Sequence, residues 1–241
     1  MCPGPQTVDG VDVSIYQGTI DWNGVKGAGK TFAIIRASHG LGGDTNFTRN
    51  WQGAKSAGLV RGGYHYLTNN EDAVMQADLM VSQIMAAGGL EAADLPPVLD
   101  AEDTATMQTP TVAIQHMKDF LLRVESRLGR RPMIYTAKFY FDYIGNPQDF
   151  ASYPLWVANY NVMCPVMPGG GWTEWKFWQY SSTGSVGGIT GNVDLDHFDG
   201  TLAELMAFAN PPLPDAGAPD AADNPMTGMS GGGCSFVPGA R

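Results

Sequence analysis

Between residues 8 and 209 short apolar runs alternate with amphipathic stretches, and this alternation constrains the fold more than any other feature of the chain. Eight runs have the length and character of strands: VDGVDVSI (8–15), TFAIIRA (31–37), VRGGYHYL (60–67), LPPVLDAE (95–102), RPMIYT (131–136), PLWVANY (154–160), EWKFWQY (174–180) and ITGNVDL (189–195). Four stretches read as helices: FTRNWQGAKSAG (47–58), DAVMQADLMVSQIMAAG (72–88), TVAIQHMKDFLLRVESRLG (111–129) and TLAELMAFA (201–209). In the third, Ile114, Met117, Leu121 and Val124 fall on one helical face and Gly129 follows the last turn. Strand–helix–strand repetition in the first half predicts parallel βαβ units. Eight strands with few helices in the second half predict an α/β fold, an irregular TIM-like (β/α) barrel.

The composition changes after Asn210. Residues 211–241, PPLPDAGAPDAADNPMTGMSGGGCSFVPGAR, are rich in Pro, Ala, Gly and Asp and have no apolar period. Such a segment has too little to bury to fold alone. The expected organisation is an N-terminal extension over 1–8, a catalytic barrel over 9–209, and a disordered tail or linker over 210–241.

The chemistry is concentrated at strand ends. PPVLDAEDT (96–104) runs from an apolar lead-in to Asp100, Glu102 and Asp103. In a strand alternate residues share a face, so Val98, Asp100 and Glu102 point into the barrel, and Leu99 and Ala101 point out beneath a helix. The C-terminal ends of parallel strands are where such barrels carry active sites. Two carboxylates this close repel, which raises the pKa of one and suits it to general-acid work. The alternative is a strand end with solvated acids. GVDVSIYQG offers Asp12, with Ser14 on the same face, and GNVDLDHF offers Asp194 and Asp196. Each Asp could instead cap a turn. Aromatic residues recur at the same places: Tyr64, Tyr66, Tyr135, Trp156, Tyr160 and Trp178. Sugar C–H faces lie well on such rings. For Trp178 and Tyr66 core packing is the expected role; for Tyr135, Trp156 and Tyr160 packing and sugar contact are balanced.

Other function classes fall away. A net charge of −10 with no Lys/Arg cluster argues against a nucleic-acid partner. No apolar run is long enough to span a membrane. There is no GxGxxG motif. His39, His65, His116 and His197 lack metal-ligand spacing. His65, within a strand, is expected in the core, and His116, mid-helix, on the surface. Cys2, Cys164 and Cys234 show no CxxC spacing, and Cys2 and Cys164 either pair or, with Cys234, remain three separate thiols.

In order along the chain, GVDVSIYQGTIDW, FAIIRASHG, DTNFTRNWQGAKSAGLVRGGYHYL, PPVLDAED, PMIYT, LWVANY and FWQYSSTGSVGGITGNVDLDHF resemble the glycoside hydrolase family 25 lysozymes, the Chalaropsis-type muramidases. The resemblance covers about residues 9–208. It implies a modified barrel with eight strands and fewer than eight helices. It also implies cleavage of the β-1,4 bond between N-acetylmuramic acid and N-acetylglucosamine in peptidoglycan, without cofactor or metal. Carried over by motif, Glu102 is the general acid, Asp100 assists the substrate acetamido group, and Asp12 and Asp194 line the catalytic groove. Tyr64, Tyr135, Trp156 and Tyr160 fall at the sugar-contacting strand ends. Cys164, in CPVMPGGGW, departs from most of the family. In the oxidising compartment that a wall-facing enzyme implies, Cys2 and Cys164 are expected to pair and leave Cys234 free.

The expectation is therefore a monomeric extracellular or cell-surface enzyme. The start, MCPGP, has neither the basic nor the apolar region of a signal peptide, as if one had been removed. SGGGCSF resembles a Gly-Cys sorting signal, which would place a hydrophobic anchor beyond Arg241. Two rival readings remain: a barrel that binds wall glycan without cutting it, and a chitin-type hydrolase, against which stands the lack of a DxxDxDxE run.

Overall fold

The computed structural model describes residues 1–210. Nine strands form one sheet: β1 (Thr7–Val13), β2 (Phe32–His39), β3 (Gly42–Gly43), β4 (Val60–Tyr66), β5 (Val98–Asp100), β6 (Met133–Ala137), β7 (Leu155–Ala158), β8 (Phe177–Gly184) and β9 (Val193–Asp199). The sheet order β1-β9-β8-β7-β6-β5-β4-β2, closed by β1–β2 pairing, makes a barrel of eight strands. The two-residue β3 hangs outside it, antiparallel on β2. All neighbours from β1 through β8 around the β2 side run parallel. β9 alone is antiparallel to both its neighbours. Residues 185–192, which join β8 to β9, are too few for a parallel crossover, so the chain must turn back.

Six helices accompany the barrel among the described residues: α1 (Trp22–Gly27), α2 (Phe47–Ser56), α3 (Ala73–Ala86), α4 (Pro110–Leu128), α5 (Lys138–Tyr143) and α6 (Leu202–Ala209). The long α4 is delimited by its sequence. Thr109 Oγ1 accepts from Val112 N, Pro110 occupies the first turn where its missing N–H is harmless, and Gly129 takes the left-handed conformation, φ 62°, at the end. A reciprocal pair, Thr201 with Glu204, starts α6. The six-residue α1 and α5 were not anticipated, because fewer than two turns give no readable period.

Strand alternation divides the apolar side chains into two layers. Phe32, Ile34, Val98, Met133, Phe177 and Phe198 fill the barrel interior, and α6 closes its lower end with Leu205 and Ala209. Phe177 meets Phe32 edge-on at 5.2 Å and Phe198 at 5.2 Å. Gly10 leaves space for this layer: a Cβ there would lie 2.3 Å from the Phe32 ring. Leu99, Ala101, Ile35 and Val157 face outward against the helices, packed with Phe120, Leu121 and Met80. Val98 in and Leu99 out is the alternation expected of PPVLDAED. The strand itself is only Val98–Asp100, since Pro96 and Pro97 cannot donate to a ladder. Glu102 therefore stands beyond the strand end.

His65 is fully buried, with Ser38 Oγ 2.7 Å from Nδ1 and Gln76 Oε1 3.0 Å from Nε2. His116 is half-buried and not on the open surface: α4 turns its polar neighbours outward but packs its flank. Among the described residues no helix is long and apolar enough to cross a membrane. The expected tail, the sorting-signal reading and Cys234 lie outside the described residues.

The start of the chain is held at several points. Cys2 is bonded to Cys164, with Cα atoms 4.3 Å apart. The terminal ammonium donates to Pro165 O at 3.0 Å, and Trp175 Nε1 donates to Met1 O at 3.0 Å. A cross-link spanning 162 residues mainly restricts the unfolded chain. Replacing Cys2 by Ser should lower stability by about 2–4 kcal/mol and leave the rate of wall lysis near that of the parent; calorimetry with and without reductant measures the first.

Candidate active site

The mouth of the barrel opens at the C-terminal ends of the parallel strands. β9 reaches the same rim with its N-terminal end, because it runs the other way. Asp194 thus opens its strand and does not close it, a correction to the expected geometry that leaves it at the same rim. Asp12 and Asp194 are direct cross-strand partners, so their side chains share one face. Asp196 pairs with Gly10 one step deeper. On the far side Asp100 is the register partner of both Tyr66 and Tyr135.

These positions meet in a cavity of about 250 Å³. Asp12, Asp100, Glu102 and Asp194 line it, and so do Tyr64, Tyr135, Trp156 and Tyr160. The carboxylates and aromatic rings named from the sequence are therefore neighbours. Asp103 is excluded: its carboxylate turns away to accept from Ala105 N at 2.8 Å and from the Thr106 hydroxyl, shaping the turn after β5.

A hydrogen-bonded frame fixes the far wall. Gln179 Nε2 donates to Asp12 Oδ2 at 2.6 Å. The same side chain's Oε1 accepts from Tyr135 OH at 2.8 Å and Tyr160 OH at 2.6 Å. Trp156 Nε1 donates to Asp196 Oδ1 at 3.0 Å. Trp156 is only 1% exposed and Tyr135 5%, and both polar tips are committed within the protein. They form the floor. Tyr64 and Tyr160, half-buried and 38% exposed, leave more ring surface open. Tyr66 was expected in the core, but it lines the cavity and lies against His39, centroids 4.4 Å apart. Tyr66 shares the inward face of Tyr64, two residues earlier in β4, and is in register with Asp100. Trp178 packs outward as expected, its Nε1 donating to Asn159 O at 2.8 Å.

Arg36, Gln179 and Tyr66 were missed as site residues. Arg36 shares the inward parity of Phe32 and Ile34, and Gln179 that of Phe177, so a polar residue on an otherwise apolar inward face was the available signal.

Burial raises the carboxyl pKa values here, with mutual repulsion adding to it. Asp100 is pushed well up by burial and then by the charge of Glu102, while Arg36 opposes the shift. Burial also raises Glu102, assisted by Asp194 and Asp103. Asp12 is raised by burial and by Asp196 and Asp194. Asp196 is likewise raised well up, by burial and then by the charge of Asp194, while the Trp156 N–H opposes the shift. Asp194 is raised by burial to about 6 from 3.8. A raised carboxyl pKa disfavours the folded state as pH climbs from the unfolded value through the folded one. Asp194→Asn should therefore raise the melting temperature at pH 7 and leave it unchanged near pH 3, where both forms are neutral; scanning calorimetry at the two pH values checks this.

An eight-stranded barrel whose rim gathers buried carboxyls among aromatic rings is an arrangement suited to glycoside hydrolysis. Comparison with known proteins specifies the family. The sequence pattern of the glycosyl hydrolases family 25 matches residues 11–189. The chain is 39% identical over 215 residues to Lysozyme M1 of Streptomyces globisporus, covering 84% of this chain and 71% of that one. It is 31% identical over 207 residues to the N,O-diacetylmuramidase of Chalaropsis sp., covering 78% and 96%. The bacterial lysozyme structure from Streptomyces coelicolor superposes with a TM-score of 0.78 at 36% identity, covering 86% of this chain and 99% of that one. The chain belongs to glycosyl hydrolases family 25 and is a glycoside hydrolase related to lysozymes and muramidases.

Proposed function

We propose that this enzyme hydrolyses the β-1,4 bond between N-acetylmuramic acid and N-acetylglucosamine in peptidoglycan, by substrate-assisted general acid/base catalysis. The observation that carries this reading is the convergence of Asp100 and Glu102 at one strand end, facing Asp12 and Asp194 across one cavity. Residues two apart in sequence are poorly placed to flank opposite faces of a sugar ring, as an acid/nucleophile pair must. The substrate's own acetamido group supplies the nucleophile instead. Its carbonyl oxygen attacks C1 while the C1–O bond breaks, and Glu102 gives its proton to the leaving oxygen. Asp100, as carboxylate, accepts from the acetamido N–H and stabilises the positive ring that forms. Water then attacks C1, the bond from C1 to the acetamido oxygen breaks to restore the amide, and Glu102 takes a proton from the water. Arg36 opposes the upward shift that burial and Glu102 impose on Asp100 and so favours its anionic form. Asp12, oriented by Gln179, and Asp194 hold sugar hydroxyls. Tyr64 and Tyr160 supply ring contacts, and Tyr135 and Trp156 the floor.

Clearing of a turbid cell-wall suspension by the purified chain tests the catalytic reading against a binding-only barrel, which would leave turbidity unchanged. The substrate places the protein outside the cytoplasmic membrane, where the Cys2–Cys164 bond is stable. A monomer suffices, since the cavity is built from one chain. The catalytic unit is assigned to residues 9–209. Residues 211–241, with three Asp and little aliphatic bulk, are assigned no catalytic part. A chain ended at Asn210 should melt within a few degrees of the full chain and lyse walls at a similar rate; a large fall in either quantity would contradict this.

A further inference from the structure

A second cleft, of about 360 Å³, shares Arg36 with the catalytic cavity and opens between Ile15, His39, Gly42, Gly43 and Asp44. Arg36 stands where the two meet. Its Nε donates to Asp44 Oδ2 at 3.0 Å. Asp44 is itself fixed, accepting from Ile15 N at 2.8 Å and Asn46 N at 2.9 Å. The Arg36 side chain is 11% exposed, and its two terminal amino groups make no hydrogen bond among the described residues. Tyr16 covers it, with the guanidinium carbon 5.1 Å from the ring centroid. The result is an oriented, sheltered cation with open donors, in a cavity whose other charged lining residues are all acids.

The order of charges around the wall carries positional information. Arg36 is in register with Tyr64 and, across it, Val98; Asp100 lies one inward step further along, in register with Tyr66, and Glu102 stands beyond the strand end. Asp100 therefore stands between Glu102 and Arg36. On a hexopyranose C1, C2 and C3 are consecutive. With Glu102 at the C1 oxygen and Asp100 at the C2 acetamido group, Arg36 falls beside the C3 substituent.

We propose that Arg36 binds the 3-O-lactyl group of N-acetylmuramic acid, and that the adjoining cleft takes the first residues of the stem peptide attached to it. This rests on the muramidase reading above. The open guanidinium donors meet the lactyl carboxylate when it is free and its carbonyl oxygen when it is amidated. N-acetylglucosamine has only a hydroxyl at C3 and leaves those donors unpaired. Arg36 is thus a specificity-determining residue, and the cleft between β3 and the 15–16 turn is a peptide exit.

The test uses the Glu102→Gln chain, which holds ligand without cutting it, in titration calorimetry. The ligands are a peptide-free tetrasaccharide of alternating N-acetylglucosamine and N-acetylmuramic acid, the same tetrasaccharide carrying stem peptides, and a tetramer of N-acetylglucosamine. The muramyl tetrasaccharide should bind about 10–100-fold more tightly than the N-acetylglucosamine tetramer, the range expected of a charge-assisted contact. Arg36→Gln should remove that preference, and Arg36→Lys, which keeps the Asp44 pairing, should restore only part of it. If Arg36→Gln does not fold, a reduced preference in Arg36→Lys carries the test. A preference left at the parent's level by either change overturns the assignment. At Gly42 an added Cβ meets only His39 O, at 3.4 Å, so Gly42→Leu can fill the cleft. It should weaken the peptide-bearing ligand more than the peptide-free one; equal effects overturn the exit. Should the parent enzyme release no fragment ending in N-acetylmuramic acid, the muramidase reading fails first. If it does release one and Arg36 proves indifferent, only this inference fails.

Discussion

Glu102→Gln is expected to fold as the parent does and to lower kcat by about 10²–10⁴, the range for loss of a general acid. The side chain is half-buried beyond the end of β5 and makes no ion pair among the described residues, so the amide is accommodated without an orphaned partner. Its burial, with Asp194 and Asp103 nearby, keeps the carboxyl protonated at higher pH than an ordinary glutamate. Glutamine has the shape but no proton to give. A variant within a few-fold of the parent, with an unchanged melting temperature, would move the acid role to another residue.

The second large effect is at Asp100. Asp100→Asn should lower kcat by about 10²–10³, comparable with the loss of one oriented group that stabilises developing charge. It should also move the pH profile, with a definite sign. Asp100 and Glu102 repel when both are ionised. Removing the Asp100 charge makes ionisation of Glu102 easier, so its pKa falls. The basic limb of the residual activity, where the acid is lost, should therefore shift to lower pH. Asp100 Oδ1 is buried without a partner, so Asn can be seated there without breaking an existing bond to that atom. An active variant with an unmoved basic limb would contradict the coupling of the two groups.

Much of this site was legible in the chain because a strand's period of two is simple to follow. Val98, Asp100 and the turn beyond them could be assigned to faces from PPVLDAED alone, and so could Asp12 beside Val11 and Val13. Eight barrel strands and four of the six helices also followed from alternation and period. What escaped depended on direction and on partners. Nothing in GNVDLDHF says that β9 runs antiparallel; that follows from the short 185–192 connection and shows only in the closed barrel. The double role of Gln179 is set by Asp12, Tyr135 and Tyr160, on three other strands or loops. Trp156 read as a sugar platform or a core residue with equal weight, and its N–H bond to Asp196 places it in the floor. Tyr66 read as core, although it shares the inward face of Tyr64 two residues earlier in β4. The short helices α1 and α5 have too few turns to carry a period.

The central claim is that this cavity cuts one of the two alternating linkages of peptidoglycan, with Glu102 at the glycosidic oxygen. The most direct measurement is mass spectrometry of the soluble fragments released from purified peptidoglycan, after reduction with borohydride to mark the new ends. Muramidase action predicts that every enzyme-generated reducing end is N-acetylmuramic acid, absent from the Glu102→Gln digest. Fragments ending in N-acetylglucosamine, or cleavage confined to the peptides, would contradict the account.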